Sequence, residues 1–155
     1  MKKGSASAAG RCGKWLLPAL AALTAAGWLG NSAIVTKEYT ITSQRLPEAF
    51  SGMRIVQISD LHGKAFGKDN ARLLEKIEAQ APDVIFLVGD MLDKKADEAD
   101  VQSLLGLTER LLKIAPVFFS MGNHEQVYLK TDETLLDRIA QTGAVVVNDS
   151  YADVT

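Results

Sequence analysis

The chain has 155 residues and a net charge of −2; 47% of it is hydrophobic and 23% charged. That length fits one domain of ordinary size, and the composition excludes a disordered chain. No block of Lys or Arg stands beyond the amino-terminal stretch, so a nucleic-acid surface is not indicated. The single Cys12 excludes both an internal disulfide framework and a cysteine-based zinc site.

Residues 1–14 make a small basic tail holding Lys2, Lys3, Arg11 and Lys14. Residues 15–35 carry no charge and reach the ~20 residues that a bilayer-spanning helix needs. Pro18 is tolerated near a helix start, and Trp15 and Trp28 suit interfacial depth. The run reads as an uncleaved transmembrane or signal-anchor helix, with a cleaved signal peptide as the alternative. Positive residues before it outnumber Lys37 and Arg45 after it, which places the amino terminus in the cytoplasm and the rest of the chain outside. Residues 36–52 are expected as a leading strand and connector. Val35, Lys37, Tyr39 and Ile41 alternate with Thr36, Glu38 and Thr40, and Pro47 and Gly52 bracket a turn.

The remaining stretch, 53–155, repeats one pattern. Ile55, Val56 and Ile58 form a short strand that ends in Asp60 and His62. The loop from Gly63 to Asp69 fails the phosphate-loop pattern, since its glycines stand too close and Asp69 replaces Ser or Thr. Asp69 or Asn70 can cap a helix whose buried stripe is Leu73, Leu74, Ile77 and Ala81, and Pro82 stops it. The apolar run 84–88 suits a strand buried on both faces; it ends in Gly89 and Asp90, followed by Asp93. A charged segment over 94–100 leads into a helix with Val101, Leu104, Leu105, Thr108, Leu111 and Leu112 on its face. Pro116 opens a third strand, 117–120, which ends in Gly122, Asn123, His124 and Glu125. A third helix follows with Leu135, Leu136, Ile139 and Ala140, then Gly143 and a fourth strand, 144–147.

Strands alternating with helices predict an α/β fold with a parallel sheet and crossover helices. Ligands of such sheets bind at the carboxyl ends of the strands. Three consecutive strands here end in groups that can bind metal: Asp60 and His62, then Asp90, then Asn123 and His124. Carboxylate oxygen and neutral imidazole nitrogen both ligate divalent ions. Asp93 and Glu125 read as groups that support the ligands, or as surface residues, rather than as ligands themselves.

Ser59-Asp60-Leu61-His62, Gly89-Asp90-Met91-Leu92-Asp93 and Gly122-Asn123-His124-Glu125 together resemble the first three motifs of the calcineurin-like metallophosphoesterases. With the apolar amino-terminal run, the chain is similar to the membrane-anchored bacterial branch of YkuE- and YaeI-type enzymes. The resemblance implies the amino-terminal half of a metallophosphoesterase α/β sandwich and two divalent cations, with Mn, Fe or Zn all admitted. It implies that Asp60 and His62 ligate the first cation, Asp90 bridges the two, and Asn123 ligates the second. His124 would face the substrate and protonate the leaving oxygen. The implied reaction is hydrolysis of a phosphomonoester, phosphodiester or pyrophosphate, with a small-molecule or lipid-linked substrate such as a UDP-diacylglucosamine. The implied location is the bacterial cytoplasmic membrane. Lys94 departs from the pattern, since many members carry Arg there.

The family pattern continues with further histidines, and no histidine follows His124. The chain is therefore expected to be a fragment, or a natural degenerate form, that binds metal poorly and hydrolyses little by itself. The alternative reading is a non-catalytic, membrane-tethered binding module of the same fold.

Overall fold

The computed structural model describes Pro18 and residues 33–148. The basic tail and nearly all of the apolar run lie outside the described residues. Among those described, no helix is long and apolar enough to cross a membrane. The chain divides into two compact units, Met1–Thr40 and Ile41–Thr155. In the first unit, residues 33–40 have no regular secondary structure and, Ile34 apart, are exposed. The strand expected over 35–41 does not form: Tyr39 and Ile41 are both 82% exposed, and none of the strands of the sheet comes from this stretch. Alternation makes a strand only where a neighbour accepts its backbone hydrogen bonds.

The second unit contains β1 (Ile55–Ile58), α1 (Ala71–Glu78), β2 (Val84–Val88), α2 (Glu98–Leu111), β3 (Val117–Ser120), α3 (Asn123–Tyr128), α4 (Leu135–Gln141) and β4 (Val145–Val146). The strands form one parallel sheet in the order β1-β2-β3-β4, so the α/β architecture expected from the sequence is the one observed. Every crossover steps in the same direction, and a common right-handed sense puts the crossover helices on one face. In register, Ile58 lies opposite Leu87, Leu87 opposite Phe119, and Phe119 opposite Val146. Ile58, Leu87 and Phe119 in this row are buried, together with Leu73 and Ile77 of α1, Val101, Leu104, Leu107 and Leu111 of α2, and Leu135 and Ile139 of α4. On the opposite face Phe86 and Phe118 make a ring contact at 5.4 Å, while Ile55 and Val145 towards the edges stay 56% and 41% exposed.

Helix ends differ from the expectation in instructive ways. α1 stops at Glu78, so Ala81 leaves the stripe and adopts a left-handed φ of 46° before Pro82. Asn70 occupies the N-cap position of α1, yet its Oδ1 accepts from the Phe66 amide at 2.9 Å and folds the preceding loop back. Arg110 adds a second tether, donating to the Asp69 carbonyl. α2 starts with a capping box: Asp97 Oδ1 accepts from Asp100 N, and Asp100 Oδ2 from Asp97 N, both at 3.0 Å. The short helix α3 was not expected at all. Its signal was the glutamate three residues after Gly122, whose carboxylate accepts the Gly122 amide at 2.8 Å.

That glutamate, Glu125, has no exposed surface. Its Oε2 accepts from Asp90 N and Gly122 N, and its Oε1 from Leu92 N, at 2.8, 2.8 and 2.9 Å. One carboxylate therefore joins the loop after β2 to the loop after β3. It is not a surface group, and its burial makes each of these bonds costly to lose. Replacing Glu125 by Ala leaves three amides unpaired and should destabilise the domain by about 3 kcal/mol or more, read from urea unfolding. A loss under about 1 kcal/mol would mean that these amides find other partners.

Around Arg138 of α4 the pH response can be worked out. Its guanidinium donates to Glu98 Oε2 at 3.1 Å and to Asp132 Oδ2 at 3.0 Å. The Glu98 carboxyl is held below its ordinary value of 4.5, first by hydrogen bonding from Arg138 and then from Gln102. The Asp132 carboxyl is held below 3.8, first by the Thr134 hydroxyl and amide and then by Arg138. For lowered carboxyls the stabilisation is complete above the unfolded values and is lost as pH falls through the folded ones. Thermal midpoints should therefore drop below about pH 4 in the unaltered chain. Arg138→Ala should lower the neutral-pH midpoint and flatten that acid limb; an unchanged acid limb would exclude this network as its source.

Candidate metal centre

The site is built where β1, β2 and β3 end side by side. The loop after β1 is laced to the loop after β2 by three backbone bonds: Asp60 N to Gly89 O at 3.2 Å, His62 N to Asp90 O at 3.0 Å, and Gly63 N to Met91 O at 2.8 Å. Asp60, His62 and Asp90 all adopt left-handed backbone angles, with φ of 57°, 49° and 53°. Non-glycine residues rarely do so, and such strain persists only where surrounding bonds hold it. The loop after β3 closes against them so tightly that a Cβ on Gly122 would overlap Asp90 Oδ1, and one on Gly89 would overlap the Gly122 backbone. Only glycine fits either position.

These loops bring His62, Asp90 and His124 together, each offering a ligand atom within 4.8 Å of the others. The two imidazole rings are tilted by 56°, with centroids 4.4 Å apart. Asp90 is fixed at both ends: its amide donates to Glu125, and its Oδ1 accepts from the His124 amide at 2.9 Å. Asp60 is exposed and joins the group through His62, with its Oδ1 3.9 Å from Nε2. Asn123 is the first residue of α3, exposed, between Gly122 and His124.

His124 has two neighbours at the same nitrogen. The Lys94 amide donates to Nδ1 at 3.2 Å, and Asp93 Oδ2 stands 4.0 Å from it. A neutral ring that accepts at Nδ1 carries its proton on Nε2. The Asp93 carboxyl is held below its usual range, first by the Lys95 amide and also by the nearby His124 and His62. Sequence reasoning placed Asp93 as a supporting group but had no means to find the Lys94 amide, a backbone donor that residue type does not reveal. In the loop from Gly63 onward, Lys64 Nζ stands 4.9 Å from the Phe66 ring centroid.

The donor set suits a divalent cation. Two imidazoles and a carboxylate match borderline ions such as Zn, Fe or Mn, and the backbone that carries them is already ordered.

Comparison with known proteins agrees with this geometry. The family model described as calcineurin-like phosphoesterase matches residues 53–151. A Danio rerio protein named as a transmembrane protein with metallophosphoesterase domain is 29% identical over 119 residues, covering 74% of this chain and 26% of that protein. The uncharacterized metallophosphoesterase YkuE of Bacillus subtilis (strain 168) is 31% identical over 115 residues, 69% of this chain and 40% of its own length. The uncharacterized metallophosphoesterase Cj0846 of Campylobacter jejuni is 27% identical over 97 residues, 61% of this chain and 25% of its own. The chain thus spans about a quarter to two fifths of the length of these relatives. With three strand-end motifs converging and the family model matching most of the chain, the protein belongs to the calcineurin-like phosphoesterase family.

Proposed function

We propose that this protein is a hydrolase of phosphoester bonds that works with divalent cations held at the ends of β1, β2 and β3. The observation that carries the reading is the convergence of His62, Asp90 and His124 from three separate strand ends, in a chain of this family. Asp60 and His62 would hold one cation, Asp90 would be shared, and Asn123 would offer its amide oxygen to a second. When bound, such cations neutralise charge on the phosphoryl oxygens and make water a better nucleophile.

The chain's own residues do the rest. Asp90 is held in rotation by the His124 amide, so its carboxylate is presented in a fixed direction. The Lys94 amide keeps the ring proton of neutral His124 on Nε2, where it can be given to a leaving oxygen. Asp93 stands ready to stabilise the imidazolium form. Glu125 fixes the distance between the Asp90 and His124 loops.

The substrate proposed is a phosphate-bearing small molecule or lipid at a membrane surface. Support for the membrane comes from the uncharged run over 15–35 and from the relative named as a transmembrane protein. The domain would then face away from the cytoplasm, and protease added to intact cells should digest it.

The reaction is tested in the protein as its source makes it, with bis-p-nitrophenyl phosphate and Mn²⁺. Turnover should vanish on chelation and return on adding metal; turnover that survives exhaustive chelation would refute a cation-dependent mechanism. Asp90→Asn should bring the rate to background, whereas Asp93→Asn, which leaves the cations' carboxylate in place, should cost about 10–100-fold. Equal losses in the two variants would mean that Asp90 is not shared between cations.

A further inference from the structure

We infer that residues 41–53, which lead into β1, dock on a phospholipid surface through Ile41, Leu46 and Phe50. The inference rests on the proposed membrane anchor, and not on the metal centre or its reaction.

Residues 41–52 are all exposed, and Ile41, Leu46 and Phe50 show 82%, 48% and 44% of their surface to solvent. Single apolar side chains on a surface are ordinary. Three large ones in a short stretch that buries none of its residues mark a contact surface. The backbone of this stretch is turned on itself. Leu46 N donates to Ser43 O at 3.3 Å, Phe50 N to Pro47 O at 3.0 Å, Ser51 N to Glu48 O at 2.8 Å and Met53 N to Phe50 O at 3.2 Å. Amides that already have internal acceptors can enter the headgroup region without losing a hydrogen bond. Arg45 and Glu48 are the only charged residues between Ile41 and Met53, and they cancel. Docking is therefore driven by apolar burial and not by attraction to lipid charge, which makes it insensitive to salt.

Chain length chooses the occupant. The uncharged run ends at Val35, and the six steps from there to Ile41 reach at most about 22 Å. A bilayer that holds the run stands within reach of these side chains, and the tether makes the second contact intramolecular. A separate protein partner would need more, since stable interfaces use about 20–30 residues a side. Asp60 and His62 follow the opposite end of β1, so none of the docking residues belongs to the metal centre.

The test uses the full protein in a Cys12→Ser background, incorporated into vesicles of phosphatidylethanolamine and phosphatidylglycerol. It carries one nitroxide at a time, at Gln44→Cys or Ala49→Cys beside the apolar side chains, or at Glu109→Cys on the exposed side of α2. For the labels at Gln44 and Ala49, collisions with oxygen, which concentrates in lipid, should outweigh those with a water-soluble nickel chelate. For the label at Glu109 the ratio should reverse. The ratio at Ala49 should persist in high salt and fall to the Glu109 value when Ile41→Ser, Leu46→Ser and Phe50→Ser are combined. Labels at Gln44 and Ala49 that match Glu109, in a chain that still floats with the vesicles, would overturn the inference alone. A chain that does not float with them would overturn the membrane anchor as well. Labels shielded from both reagents would overturn the inference in favour of a protein contact at this surface.

Discussion

A buried carboxylate with three amide donors is the constraint on which the rest depends. Glu125 joins the backbone of Asp90, Leu92 and Gly122, and so locks two strand-end loops together. The group is costly to bury and is tolerated because every hydrogen bond is made. Its effect reaches the chemistry directly. Asp90 lies at one end of the lock, and His124 is the residue before Glu125. The bond from the His124 amide to Asp90 Oδ1 spans the same two loops.

Strain tells the same story from the other side. Asp60, His62 and Asp90 are left-handed, and the glycine pair Gly89 and Gly122 lets their loops meet without a Cβ between them. A few kcal/mol of conformational cost is spread across these positions. It is offset by the lacing between the β1 and β2 loops and by the well-packed row Ile58, Leu87 and Phe119 just beneath them. A stiff apolar sheet carries a polar, strained rim.

The α/β class and the strand ends were legible because their signals are local. The apolar run 84–88 bounded by Pro82 and Gly89, and the motif residues at each strand end, follow from period, length and breakers alone. The leading strand over 35–41 misled because alternation describes a strand's faces and says nothing of its partner. The burial of Glu125 was hidden because a glutamate in a loop is usually exposed, and only the fold brings the amides of residues 33 and 35 positions away to meet it. His62, Asp90 and His124 stand at three consecutive strand ends, as their motifs suggested, and the structure brings their ligand atoms within 4.8 Å of one another. The spacing of residues along the chain contains the candidates for this centre but not their order of approach.

The sheet order has a consequence for how the domain is assembled. Each strand pairs with the one that immediately precedes it in sequence, in the order β1-β2-β3-β4. Among the described residues each of these strands finds its neighbour in the next strand of the chain, which keeps loop-closure costs small. Each strand–helix unit can dock on its predecessor in chain order. The metal centre then matures in steps. The β1 and β2 loops can be laced as soon as β2 docks, whereas the carboxylate that fixes Asp90 arrives only after β3. Between those two events the chain presents Asp60 and His62 on one loop and Asp90 on another that Glu125 has not yet fixed.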